Sequence, residues 1–193
     1  MSQIKELLID QLQDLLSAEM QLTQALPKMA EAAKHPKLKE SFEKHLSQTE
    51  GHVERLKQIF GLLGEKAGSK QCKAMKGLVE EGQETIQEGK EKESMTADLA
   101  LIAAAQRVEH YEIAAYGTAK CLARQLGEFD SALLLSHTLG EEEAADYLLT
   151  AISQPIIQQV SLNDMDADVN LETVGAGAHG KSTPASKKAS RKS

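Results

Sequence analysis

The sequence contains few aromatic residues and no tryptophan, and only four prolines interrupt its 193 residues. Strands favour aromatic and β-branched side chains, so an aromatic content of 3% argues against a β-rich fold. Hydrophobic residues still make up 41% of the chain, which is ordinary for a globular protein, and the chain is long enough for one substantial core. The composition therefore favours helices that pack through Leu, Ala and Met.

Long apolar runs are also missing. No segment approaches the roughly 18 apolar residues of a membrane span, and the N-terminus lacks a basic segment followed by an apolar stretch. The two cysteines form no CxxC motif, which suits a reducing compartment, although spacing alone leaves a structural pair open. We therefore predict a soluble, cytoplasmic protein without a membrane partner.

Familiar catalytic motifs are absent as well. The sequence has neither a P-loop nor a Gly-x-Ser-x-Gly motif, and its one glycine-rich stretch, GAGAHG, follows no predicted strand. We therefore predict no particular reaction from motifs, and whether the protein is an enzyme stays open.

The net charge of −7 divides unevenly along the chain. From Gly175 onward there are five basic residues and no acidic ones, so the rest carries 17 Lys plus Arg against 29 Asp plus Glu. The tail could contact nucleic acid, but an acidic body repels polyanions, and we favour a solubilising tail.

Apolar residues recur at alternating steps of four and three in four long segments, which predicts four long helices. Their expected spans are residues 3–33, 37–63, about 94–126 and about 130–152, the last ending before Pro155. Residues 64–95 are rich in glycine and predict a loop and a four-turn helix that cross over between the second and third long helices. This order is typical of an all-α, ferritin-like four-helix bundle.

Residues beyond the fourth helix have a different composition. An acidic loop is expected at residues 163–170, followed by a small, polar and basic segment that cannot bury a core. We therefore predict a bundle over residues 1–160 and a flexible, disordered tail over 161–193, basic from residue 175.

A polar layer interrupts the apolar positions near the middle of each long helix. Glu19, His52 and Glu109 fall near mid-helix, with Glu112 one turn after Glu109, and antiparallel helices of similar length bring them to one height. A ring of carboxylates and imidazole inside an apolar core is suited to two iron or manganese ions.

The apolar pattern of the fourth helix allows two different faces to be buried. One apolar seam passes through Glu142 and Asp146, and the other buries Glu141. We prefer the first because a dimetal site uses several carboxylates. The predicted metal ligands are therefore Glu19, His52, Glu109, Glu112, Glu142 and Asp146.

Each of these residues also has a structural interpretation. Glu19 could pair with a lysine, His52 could be a core histidine, and the acids at 141–143 could form a solvated face. His45 and Thr49 are expected to hydrogen-bond inside the core. In the alternative to a metal site, a metal-free structural stress protein uses the polar layer only to fix helix register.

Several segments carry a resemblance to a known family, namely SAEMQLTQALPKMAEAA, HLSQTEGHVERL, CKAMKGLVEEG, ALIAAAQRVEHYEIAAYGT and EEEAAD. Over roughly residues 3–155 the chain resembles the YciE/YciF family of bacterial stress-associated ferritin-like proteins. The resemblance implies a ferritin-like fold, a homodimer and a dimetal centre, but no established reaction. Our first hypothesis is that such a centre handles metal, oxygen or peroxide. Ferritin-like proteins usually take ligands from Glu-x-x-His pairs, and this sequence has none.

Overall fold

The computed structural model of the chain describes residues 2–68 and 70–177, with side chains through residue 165 except residue 164. The described residues contain five helices and no strand. The helices are α1 (Gln3–Ala32), α2 (Pro36–Leu63), α3 (Lys73–Gly89), α4 (Ser94–Gln125) and α5 (Phe129–Gly177). The predicted all-α fold, with four long helices and a helical crossover before the third of them, is confirmed.

Helices α1 and α2 form an antiparallel pair joined by a turn of three residues. Pro36 begins α2, and the residue before a proline avoids helical backbone, so the chain is extended at His35. The carboxylate of Asp98 in α4 accepts hydrogen bonds from the backbone N–H groups of Lys34, at 2.8 Å, and His35, at 2.7 Å. This buried acid therefore ties the first turn of the bundle to α4.

The apolar seams predicted from the sequence lie in the core. Leu8, Leu12 and Leu15 of α1 are fully buried, and Leu56 and Ile59 of α2 are almost so. Above this apolar layer the same seams continue into the polar residues of mid-helix. The regular spacing of the seams thus holds those polar side chains at one level.

The crossover helix α3 covers α1 and α4. Cys72 caps its first turn, with Sγ accepting from the backbone N–H of Met75, and the Cys72 carbonyl accepts from the Gln21 side chain at 3.1 Å. Met75 and Gly82 face the bundle and are buried. Cys72 and Cys121 are both free thiols, so they form no structural pair.

The predicted end of the fourth long helix is wrong, because α5 continues through Pro155. Proline has no backbone N–H, so the carbonyl of Ala151, four residues earlier, loses its helical hydrogen bond. Both residues lie on an exposed face, where water can satisfy that carbonyl. The acidic loop expected at residues 163–170 is helical as well. The side chains of Gln159 and Asn163, one turn apart, hydrogen-bond at 3.0 Å and support the helix there.

The chain divides into two compact units, one over residues 1–157 and the other over residues 158–193. The first unit contains the bundle; in the second, residues 158–177 are helical. The predicted flexibility of the tail stays a prediction, and residues 178–193 lie outside the described part. Among the described helices none is long and apolar enough to cross a membrane. Cytoplasmic location, a homodimer and any tail contact with nucleic acid also stay predictions.

Candidate metal centre

Four helices deliver six buried carboxylate and imidazole side chains to the polar layer. Helix α1 provides Glu19, and α5 provides Glu142. The remaining four come in pairs from α2 and α4, and they are His45, His52, Glu109 and Glu112. Each is at most 5% exposed, so these ionisable groups lie in the interior of the bundle.

A first group of possible ligands consists of Glu19, His52 and Glu142. His52 Nδ1 lies 3.2 Å from Glu19 Oε1 and 2.9 Å from Glu142 Oε1. Neither contact has hydrogen-bond geometry, since Nδ1 and Glu142 Oε1 remain without a hydrogen-bond partner. Tyr116 donates a hydrogen bond to Glu19 Oε1, the same oxygen that lies near His52 Nδ1, and so helps to orient that carboxylate.

A second group consists of His45, Glu109, Glu112 and Glu142. His45 Nε2 lies 3.4 Å from Glu109 Oε1 and 3.5 Å from Glu142 Oε2. Both ring nitrogens of His45 and both oxygens of Glu112 lack a hydrogen-bond partner. Glu142 belongs to both groups, because its two oxygens face different histidines.

These separations match those of ligands that share one ion. Two ligands about 2.1 Å from a metal are about 3.0 Å apart at a right angle and about 3.4 Å apart at a tetrahedral angle. The N···O distances in both groups run from 2.9 to 3.5 Å. Buried polar atoms without partners are costly, and a cation between them would satisfy them. The residues present therefore fit a pair of metal ions.

The donor set has the composition of a carboxylate-bridged dimetal site, which uses four carboxylates and two histidines. Its distribution over the helices is different. Both histidines come from α2, seven residues apart, with ring centres separated by 6.3 Å. Helix α4 supplies Glu109 and Glu112 at the spacing where a Glu-x-x-His pair would stand. The second histidine on α2 thus takes the place of the histidine that a Glu-x-x-His motif would supply from α4.

Burial perturbs the titration of these groups. It raises the pKa of Glu19, and it raises the pKa values of Glu109 and Glu112 well above the usual range, with neighbouring carboxylates adding to the effect. Burial opposes a charge on His52, but its contacts with Glu142 and Glu19 outweigh burial and raise the pKa of His52 to about 10. Burial lowers the pKa of His45. Without metal, the layer therefore retains protons.

The structure brings together five of the six residues predicted as ligands and adds one that was not predicted. Asp146 does not join either group; its Oδ1 accepts a hydrogen bond from Gln106 at 3.0 Å. His45, expected only to hydrogen-bond in the core, lies among the carboxylates instead. Its position two turns before His52 is the signal that could have identified it. The preferred phase of the last long helix, with Glu142 buried, is confirmed.

Glu141 forms an outer contact that sequence reasoning missed. Its Oε2 lies 3.0 Å from His52 Nε2, and its two oxygens pair with both terminal nitrogens of Arg55. Arg55 holds the pKa of Glu141 below its usual value, so this carboxylate is ionised and accepts from His52 Nε2–H. His52 therefore presents Nδ1 to the first group, and metal-binding histidines are commonly oriented by such a carboxylate on the far ring nitrogen.

We expect Glu141→Ala to weaken metal binding about 10- to 100-fold, because His52 loses the acceptor that fixes its ring. Titration with Co²⁺ followed by visible absorption measures the change. Glu141→Gln keeps an acceptor oxygen and should lose less affinity. Glu143→Ala removes an exposed neighbouring acid and should bind as the unmodified chain does. Equal binding by Glu141→Ala and Glu143→Ala would refute the positioning role.

Comparison with known proteins relates this geometry to a family. The family described as "Domain of unknown function (DUF892)" matches residues 3–161. Protein YciF of Escherichia coli (strain K12) is 46% identical over 154 residues, covering 79% of this chain and 92% of that protein. Residues 3–161, which the family matches, contain all six side chains of the polar layer.

Solved structures agree with the fold. The E. coli stress protein YciF superposes with a TM-score of 0.77 at 44% identity, covering 82% of this chain and 99% of that one. YcfI from Rhodopseudomonas palustris gives 0.73 at 41% identity, with 77% and 94% coverage. A Xanthomonas campestris protein at 19% identity shares the fold with a TM-score of 0.65. The resemblance inferred from the sequence is confirmed, and the chain belongs to the DUF892 family, which includes YciF.

Proposed function

We propose that this protein binds two divalent transition-metal ions, iron or manganese, in the core of its bundle. Glu19 and His52 would hold the first ion, and His45, Glu109 and Glu112 the second. Glu142 would contribute one oxygen to each. Oxygen and imidazole donors without any thiolate are suited to manganese and iron.

The observation that carries the proposal is a set of four buried carboxylates with no permanent cation among them. Arg55, which lies beside the layer, is paired with Glu141 rather than with any of these four carboxylates. Four ionised carboxylates carry a charge of −4, which two divalent cations would neutralise. Buried charges are otherwise either paired or protonated.

The metals, when bound, would supply redox chemistry toward dioxygen, peroxide or ferrous iron. The chain itself holds the ions, keeps bulk water away from them and fixes the proton on His52 Nε2. The E. coli relative is described as a stress protein, which agrees with a role in handling metal or oxidants.

The metal-free alternative makes a different prediction about the same layer. Raised pKa values for Glu109 and Glu112 allow protons to take the place of cations, and the layer would then only fix helix register. Elemental analysis of protein produced in iron- or manganese-supplemented medium distinguishes the two. We expect about two ions per chain, and fewer in variants that lack a carboxylate or histidine of the layer. A metal-free protein from both media, unable to take up Mn²⁺ or Fe²⁺ afterwards, would exclude the proposal.

The pH dependence of stability should differ between the metal-free and the metal-bound forms. Without metal, the folded chain retains more protons than the unfolded chain, because the pKa values of Glu109 and Glu112 are raised and that of His52 is about 10. Stability should therefore fall as pH rises from about 7 to 9. With metal, binding releases those protons, so affinity should increase over the same range. Thermal melts of both forms at several pH values measure this, and parallel trends would contradict it.

A further inference from the structure

A small cavity lies between α2 and α5 on the side of the bundle where the second ligand group sits. Its volume is about 60 Å³. Exposed side chains surround the mouth, which is formed by Lys44, Ala144 and Leu148. Ser41, Gln48 and Ala145 are half-buried and line the passage below the mouth.

The buried lining of the cavity includes two residues of the polar layer, His45 and Glu109, beside the apolar Phe42 and Leu149. His45 and Glu109 are 5% and 3% exposed, whereas Glu19, His52, Glu112 and Glu142 have no exposed surface at all. Of the six residues of the layer, the two that retain some exposed surface are thus the two that line this cavity. His45 is buried, and neither ring nitrogen makes a hydrogen bond of good geometry, so an imidazole that could bind a ligand lines the cavity.

We propose that this cavity, the α2–α5 port, is the route by which small solutes reach the metal centre. This inference rests on the proposed function. One water molecule occupies about 30 Å³ of the liquid, so the port has room for about two waters or one species of two or three heavy atoms. Sites for organic substrates measure about 300–1,000 Å³. The port therefore admits solutes the size of dioxygen, peroxide or azide and excludes organic substrates.

The width of the port depends on small side chains of α5. Ala145 stands in the passage, where a leucine would add about three methylene-sized groups to a space that holds about two waters. Leu148 stands at the mouth, and its truncation would widen the opening. Lys44 at the rim and Glu141 in the lining place opposite charges beside the port, so we attribute its selectivity to size rather than to charge. Ala145→Leu should therefore restrict the entry of small solutes, and Leu148→Ala should ease it.

The test uses protein loaded with Co²⁺, whose visible spectrum reports ligands that enter the metal site. Metal content is measured first. We expect azide to change the spectrum of the unmodified chain, while imidazole, a larger ring, does not. Ala145→Leu should retain its cobalt but bind azide at least tenfold more slowly. Leu148→Ala should retain cobalt and admit imidazole. Ala151→Leu adds the same bulk on an exposed part of α5 outside the port and serves as the matched control.

The outcomes separate this inference from the proposed function. If the unmodified chain takes up no cobalt, manganese or iron, the metal centre itself is refuted, and the port with it. If all variants hold cobalt and bind azide at the rate of the control, the metal centre stands and the port is refuted. If Ala145→Leu does not fold, the response of Leu148→Ala to imidazole tests the port instead. Exclusion of imidazole by that widened variant would count against the port.

Discussion

Replacing Glu142 with alanine is expected to abolish binding of both metal ions rather than one. Glu142 is the side chain common to the two ligand groups: Oε1 lies 2.9 Å from His52 Nδ1, and Oε2 lies 3.5 Å from His45 Nε2. Its loss would leave the first group with only two possible ligands and would remove the carboxylate common to both groups. We expect the metal content to fall from about two ions per chain to none, measured by elemental analysis after dialysis.

Two variants make this expectation specific. Glu112 belongs to the second group alone, so Glu112→Leu should lose one ion and keep the other. Both carboxyl oxygens of Glu112 are buried without a hydrogen-bond partner, which is costly, so this variant should also melt higher when metal-free. Glu143→Ala, next to Glu142 but exposed, should keep both ions. If Glu142→Ala retained one tightly bound ion, the shared-ligand arrangement would be wrong.

Much of the fold follows from the sequence because helical periodicity is a local property. The seams through Leu8, Leu12 and Leu15 and through Leu56 and Ile59 repeat at steps that only one helix face satisfies, and these faces are buried. The end of α5 could not be predicted in the same way. Proline weakens a helix locally, but the helix continues where the affected carbonyl faces water. That condition depends on the position of the helix in the bundle.

Candidate ligands could be predicted where the apolar pattern of a single helix determines which way a residue points. Glu19 and Glu109 follow from the seams of their own helices, whereas the seam of the last long helix allowed either Glu141 or Glu142 to be buried. The role of His45 depends on which carboxylates lie opposite it on α4 and α5, and a single helix does not contain that information. Asp146 occupies a seam position as predicted, yet Gln106 on the neighbouring helix engages it. Packing between helices thus decides which polar residues on a seam meet.

The second large effect is expected at Asp98, and it concerns stability rather than metal. This acid is 2% exposed and accepts two hydrogen bonds from the backbone of the turn between α1 and α2. Asp98→Ala leaves the N–H groups of Lys34 and His35 without an acceptor, and a hydrogen bond to a charged group contributes about 1.5–3 kcal/mol. We therefore expect a loss of about 3–5 kcal/mol in the free energy of unfolding, measured by urea denaturation.

Asp98→Asn provides the graded control, because the amide keeps one acceptor oxygen and should recover part of the loss. Glu93→Ala removes an exposed acid near the start of the same helix and should change the free energy of unfolding by less than about 0.5 kcal/mol. Metal content normalised to folded protein should be unchanged in all three variants, since Asp98 belongs to neither ligand group. A loss at Asp98→Ala no greater than at Glu93→Ala would show that water satisfies the turn as well as the carboxylate does. The turn would then follow from Pro36 alone, because a residue before proline is extended whether or not α4 contacts it.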